Sequence, residues 1–250
     1  MVTEDIDNQW QSKMSFSRFG DELSELILDY LAIEEKFRFE CLSKQIQKSV
    51  FQRHKVLRIT TKDKSFGHKL LTKITNFEYR LKTEEFEKCL KKLKNLSELE
   101  IEPVYIEYVR SLHLDIVAKN CLHLKKFSVA LHDYLSYGSI RYFGRKCGPK
   151  LEELSLHWSY MSTGDIRDLL WFTPNLVSLH VFNFDIRFIL GENNDKLLPN
   201  LRKLSIDGSL RIEELSKLQD IYNNRLQVFN TLENIVYIDS DELILLISGL

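Results

Sequence analysis

The chain is poor in residues that break or staple structure. Its 250 residues include nine Gly and four Pro, and no Gly/Pro/Ser-rich stretch reads as a flexible linker. The four cysteines, Cys41, Cys89, Cys121 and Cys147, form no C-x-x-C pair. A chain of this length needs no disulfide staples, so a reduced setting, cytoplasmic or nuclear, is expected. No apolar run approaches the roughly 18 residues of a membrane span. Charge of one sign is missing too. The 35 basic and 36 acidic side chains leave a net charge of -1, with no global pull toward nucleic acid or an anionic membrane. The opening MVTEDIDNQWQSK is acidic and polar, unlike a secretory signal or transit peptide. Residues 1–14 therefore read as a disordered leader.

Signatures of catalysis are missing as well. The seven histidines (His54, His68, His113, His123, His132, His157 and His180) show no H-E-x-x-H or clustered Cys/His spacing, so neither a metal site nor a cofactor is expected. There is no Gly-rich phosphate loop and no G-x-S-x-G elbow. Asp21 with Glu22, and Glu34 with Glu35, read as solvated helix ends rather than acid/base pairs. The Lys91-Lys92-x-Lys94 run, with the lysines at 62–73, lacks interleaved aromatics and is balanced by Glu84, Glu85 and Glu87. It reads as a solvated helix face, not a nucleic-acid site. An enzyme is not expected.

What the chain does have is apolar content of 44%, enough for a folded core, and a repeat. Five cores share one L-x-x-L-x-L frame: Leu96-x-x-Leu99-x-Ile101, Leu124-x-x-Phe127-x-Val129, Leu151-x-x-Leu154-x-Leu156, Leu176-x-x-Leu179-x-Val181 and Leu201-x-x-Leu204-x-Ile206. Their first residues lie 28, 27, 25 and 25 apart. A degenerate sixth core is expected at Leu232-x-x-Ile235-x-Tyr237. Pro149, Pro174 and Pro199 keep the same period, each two residues before a core, where a residue without an N–H ends a helix. Helical patterns lie between cores, at Ile106–Ala118, Tyr134–Arg145 and Asp165–Phe172. Each unit is thus a strand, a turn and a helix that buries its apolar side only by stacking. Upstream, His54–Thr61 alternates as one strand, and a helix capped by Thr83 follows, with Phe86, Leu90 and Leu93 inward.

Alternation fixes which side chains would leave the core. With Leu154 and Leu156 inward, Glu153, Ser155 and His157 face out. Glu98, Glu100 and Glu102, then Lys126, Ser128 and Ala130, follow the same rule. So do Ser178, His180 and Phe182, and finally Lys203, Ser205 and Asp207. His157, His180 and Phe182 have the composition of a binding hot spot, although Phe182 could equally cover a neighbouring strand. Trp171, beside Leu169 and Leu170, reads as core.

The segment Phe19–Phe51 is organised differently. Leu23, Leu26, Ile27, Tyr30 and Leu31 recur at helical spacing, behind Asp21 and Glu22 at the positive end of a helix. Phe37 and Phe39 open a second short segment. Ser43 is placed to cap a third, carrying Ile46, Val50 and Phe51. A unit of about forty residues rarely buries enough surface alone.

The two segments carry two resemblances. Phe19-Gly20-Asp21-Glu22-Leu23, Ile27, Leu31 and Leu42-Ser43-Lys44-Gln45 together resemble an F-box. Gly20 stands where that family usually has Pro, Lys36 falls at a commonly apolar position, and Ile46 replaces the usual Trp. The 25–28-residue cores are similar to leucine-rich repeats, with Cys121 and Cys147 at positions that resemble the subtype found in F-box proteins. The resemblance implies an α/β protein: residues 15–54 an F-box-like helical domain, 55–92 a connecting and capping segment, and 93–250 a short repeat solenoid. It implies further that Phe19, Leu23, Ile27, Leu31, Leu42 and Ile46 contact a Skp-type adaptor and, through it, a cullin ubiquitin ligase. Glu153, His157, His180, Phe182 and Asp207 on the concave face would meet a target protein. The alternative is a non-catalytic repeat scaffold whose helical unit only caps the solenoid.

Overall fold

The structure is a computed structural model. It describes Leu26, Ile27, Tyr30, Leu31, Phe51 and residues 54–59, 82–101, 110–131, 135–158, 163–182, 197–207, 212–222, 225–231, 235–239 and 242–243. The chain divides into two compact units, Met1–His54 and Lys55–Leu250. In the first, Leu26, Ile27 and Tyr30 are helical. Leu26 and Tyr30 are exposed, while Ile27 and Leu31 are half-buried. The other adaptor-face candidates (Phe19, Leu23, Leu42 and Ile46) lie outside the described residues, as do Phe37, Phe39, Ser43, the leader and Glu102.

The second unit is α/β. Strands β1 (Val56–Ile59), β2 (Glu98–Ile101), β3 (Lys126–Leu131), β4 (Glu153–Trp158), β5 (Ser178–Phe182), β6 (Lys203–Asp207) and β7 (Val228–Thr231) pair in chain order, all parallel. β8 (Ile235–Asp239) and β9 (Glu242–Leu243) then close the order antiparallel. The helices are α1 (Thr83–Lys92), α2 (Ser111–Asn120), α3 (Tyr137–Cys147), α4 (Thr163–Trp171) and α5 (Ile212–Tyr222). Consecutive helices α1 to α4 pack on one another. Packed helices need about 8–10 Å and paired strands about 4.8 Å. The stack therefore bends toward its strands and leaves the sheet on the inner side.

One backbone device repeats at every rung. The carbonyl of the second residue of each core accepts two N–H groups from the next core: Lys55 from Ser97 and Glu98, Ser97 from Lys125 and Lys126, and Lys125 from Glu152 and Glu153, at 2.7–3.0 Å. Glu152, Val177 and Arg202 continue the series. The turn before each core recurs as well, with N–H to O bonds from Leu96 to Leu93, Leu124 to Cys121, Leu151 to Gly148, Leu176 to Thr173 and Leu201 to Leu198. Asn175 and Asn200 each donate Nδ2 to the proline carbonyl one repeat back, Pro149 and Pro174, at 2.8 and 2.9 Å. Because these polar groups satisfy each other, the core can be almost entirely apolar, with His113, Ser139 and Thr173 its buried polar side chains among the described residues. Leu96, Leu124, Leu151, Leu176 and Leu201 are fully buried, as are the strand pairs Leu99/Ile101, Leu154/Leu156 and Leu179/Val181.

Between repeats the helices are keyed by side chains. His113 Nδ1 accepts the Arg110 N–H at 3.3 Å, which leaves its Nε2–H to reach Thr83 Oγ1 at 3.3 Å and tie α2 to α1. Phe172 closes on α3 so tightly that a Cβ at Gly144 would lie 2.8 Å from its ring, and one at Gly148 only 2.4 Å from its carbonyl oxygen. Glycine is required at both places.

Several sequence expectations shift. Thr83 is the first helical residue, not the cap; that position is held by Lys82, without a side-chain bond. Ala130 is buried rather than facing out, because strand β3 ends in three consecutive buried residues, Val129, Ala130 and Leu131. Trp171 is 61% exposed, not core. It ends α4, and Ile166, Leu169 and Leu170 fill the inward face of that helix. The sixth core is not Leu232–Tyr237 but Leu226-x-x-Phe229-x-Thr231, again 25 beyond Leu201, while Ile235–Asp239 runs antiparallel. The sheet also starts ahead of residue 93, at β1.

Leu154→Ala should lower unfolding free energy by about 2–5 kcal/mol in urea titrations. Gly148→Ala meets backbone rather than a mobile side-chain tip, and should cost about 1–3 kcal/mol by overpacking.

Candidate functional site: the inner sheet face

The register builds the face row by row. One row reads Val56, Glu98, Lys126, Glu153, Ser178, Lys203, Val228, and the next Arg58, Glu100, Ser128, Ser155, His180, Ser205, Asn230. A third places Ala130, His157, Phe182 and Asp207 side by side along their backbones. Because alternate residues anchor in the core, the intervening ones have fixed spacing and direction. A groove of about 350 Å³ crosses β1 to β5, walled by Arg58, Glu98, Lys126, Glu153, Ser155 and His180.

Its first half is a charge ladder. Arg58 spans Glu98 at 3.8 Å and Glu100 at 3.1 Å. Lys126 meets Glu153 at 3.0 Å. The Glu153 carboxylate, followed by weaker contributions from Glu98 and Glu152, holds the Lys126 ammonium above its ordinary range. Such exposed pairs add little stability; they orient their partners. The expected acidic end is therefore a network in which two cations hold three carboxylates.

Outside the groove's walls, in the third row of the sheet face, the surface turns aromatic. His157 and Phe182, register partners on β4 and β5, stack with centroids 3.7 Å apart and planes at 13°. His180, two residues before Phe182, tilts against the same ring at 4.0 Å and 40°. All three are half-buried. Phe182 therefore both covers its neighbour and offers a ring surface. The sequence left those two readings open because cross-strand stacking depends on register, which spacing alone does not fix. Of the target-face residues, His157, His180 and Phe182 lie together, Glu153 stands two rows away on β4, and Asp207 is placed by register at the end of the third row.

No known protein-family profile matches the chain, and no curated protein matches it. It is similar to a chain of the yeast Rad7–Elc1 complex. That crystal structure aligns at 15% identity and a TM-score of 0.47, over 92% of this chain. This chain spans 56% of the length of that one.

The remaining reactive groups sit elsewhere. Cys89, Cys121 and Cys147 are buried thiols. Burial pushes Cys147 up to about 12 and Cys121 higher still, and Cys147 Sγ–H points at the Cys121 carbonyl, 3.6 Å away. At neutral pH these are inert hydrophobic plugs rather than thiolates. Among the described residues, no group of three His, Cys, Asp or Glu side chains could hold a metal ion.

In a Cys41→Ser variant at pH 8, the three remaining thiols should stay unreactive toward a disulfide reagent until the fold opens, and then react together. Because the folded pKa values of Cys121 and Cys147 lie above the unfolded value, the stability these two lend is present below about pH 8.5. It should fall as pH climbs toward 12, measurable as a declining Tm.

Proposed function

We propose that this protein is the substrate-recognition subunit of a Skp–cullin–F-box ubiquitin ligase. Its N-terminal unit binds a Skp-type adaptor and its inner sheet face holds the target. The observation that carries the reading is the seven-strand parallel sheet, whose open face sets a ring cluster beside an ordered charge ladder. Such a face suits recognition by shape and charge. The other support is the ordered F-box-like run of apolar residues from Phe19 to Ile46. Leu26 and Tyr30 within it are exposed, although neither belongs to the six adaptor-contact positions.

The reading assigns no chemical step to this chain. The adaptor joins the complex to the cullin, and the sheet raises the local concentration of a bound target at the transfer machinery. On the target side, the His157–Phe182 stack accepts an aromatic or guanidinium group face-on. Glu98, Glu100 and Glu153, one or two rows away, take polar groups farther along the target.

Leu23→Ala combined with Ile27→Ala should abolish co-purification of a Skp-type adaptor while leaving the thermal melt of the repeat unit unchanged. Full adaptor binding in that variant would refute the assignment. Independently, His157→Ala with Phe182→Ala should weaken target capture by about tenfold or more, as for a central hot spot, without altering adaptor binding.

A further inference from the structure

A second surface, separate from the sheet face, emerges from charges that the sequence scatters. In a parallel repeat all helices run the same way, so their last turns and the turns that follow share one flank. On this flank α1 brings Lys91 and Lys92, followed by Lys94. α2 brings Lys119, and α3 brings Arg145 and Lys146, followed by Lys150. The segments 88–97, 116–126 and 137–150 contain no Asp or Glu at all.

Contacts between neighbouring turns tie the row together. Lys91 and Lys119 reach the same Glu87 carboxylate from adjacent helices, at 2.8 and 3.9 Å, and Lys150 donates to the Leu122 carbonyl of the previous turn at 2.7 Å. Lys125 at the foot of β3 is matched by Glu152. The last turns of α4 and α5 carry Asp168 and Asp220 and no basic residue, and Arg225 after α5 donates to the Pro199 and Ile221 carbonyls.

Positive charge near helix C-termini has a local use, since it offsets the negative end of the helix. That accounts for one or two cations per helix but not for the apolar tips, Leu122 among the cations and Trp171 and Val177 on the repeat after them. Leu122, Trp171 and Val177 project from the same flank at 44%, 61% and 38% exposure. These tips stand at different places in their repeats: Leu122 two residues before a core, Trp171 five before the next but one, and Val177 just after that core's first leucine. Leucine and valine have no use in base stacking, whereas they and an interfacial tryptophan insert readily below lipid headgroups.

We propose that this flank docks the protein on an anionic lipid surface, the cations facing headgroups and Trp171 with Leu122 entering the interface. The proposal does not depend on the ligase reading, because it uses neither the sheet face nor the N-terminal unit.

The test is co-sedimentation of the full chain with vesicles of phosphatidylcholine alone or with 30% phosphatidylserine. Binding is expected only to the anionic vesicles, falling steeply between about 0.1 and 0.5 M salt as the surface charge is screened. Each cation removed should weaken partition about fivefold, so Lys94→Gln with Lys146→Gln loses about 25-fold. Both side chains are exposed, and an unchanged melt would show the fold intact. Trp171→Phe should remove the fluorescence blue-shift that anionic vesicles induce. Equal binding to neutral vesicles, or binding unchanged by the double variant, overturns the proposal. So does tight, charge-dependent binding of a single-stranded oligonucleotide without vesicle binding, which would make the flank a nucleic-acid surface instead.

Discussion

The repeat unit rests on one shared acceptor. At each rung a single carbonyl, from Lys55 through Arg202, takes two N–H groups from the next core. That pairing sets the register of the following strand, and a slip of one residue would turn every leucine outward. Leucine burial and backbone pairing therefore enforce each other: the apolar side chains choose the face, and the doubled bond chooses the height. The rows of the inner face and the shared flank of helix ends follow from that rung.

The same constraint separates structure from recognition. Residues at core positions have no freedom, and they are almost uniformly Leu, Ile, Val or Phe. Their neighbours, pointing away, are held in place but not specified. Arg58, Lys126 and their carboxylates, and the rings of His157, Phe182 and His180, occupy such positions. A rigid lattice with unconstrained decoration is how repeat proteins present broad binding surfaces. The glycines at 144 and 148 show the cost of that rigidity, since Phe172 leaves no room for a Cβ.

The buried cysteines belong to the lattice rather than to any chemistry. Cys121 and Cys147 lie just before consecutive cores, and desolvation holds both thiols protonated. Three of the histidines divide similarly. His113 locks two helices through both ring nitrogens, whereas His157 and His180 frame Phe182 at the surface.

By itself the sequence determined the repeat: the spacing of five cores, the proline punctuation and the alternation along each strand follow from burial and from backbone geometry, which are local. Tertiary structure alone decided what depends on neighbours 25 residues away. The sixth core was hidden because Thr231 replaces the usual aliphatic residue, and only pairing with β6 places it. Trp171 looked inward from its leucine neighbours, yet one step around the helix carries it to solvent. Ala130 looked outward from alternation, yet the end of its strand is enclosed. The stack of His157 on Phe182, and the gathering of lysines from three helices onto one flank, arise from register between repeats, which no single stretch of sequence contains.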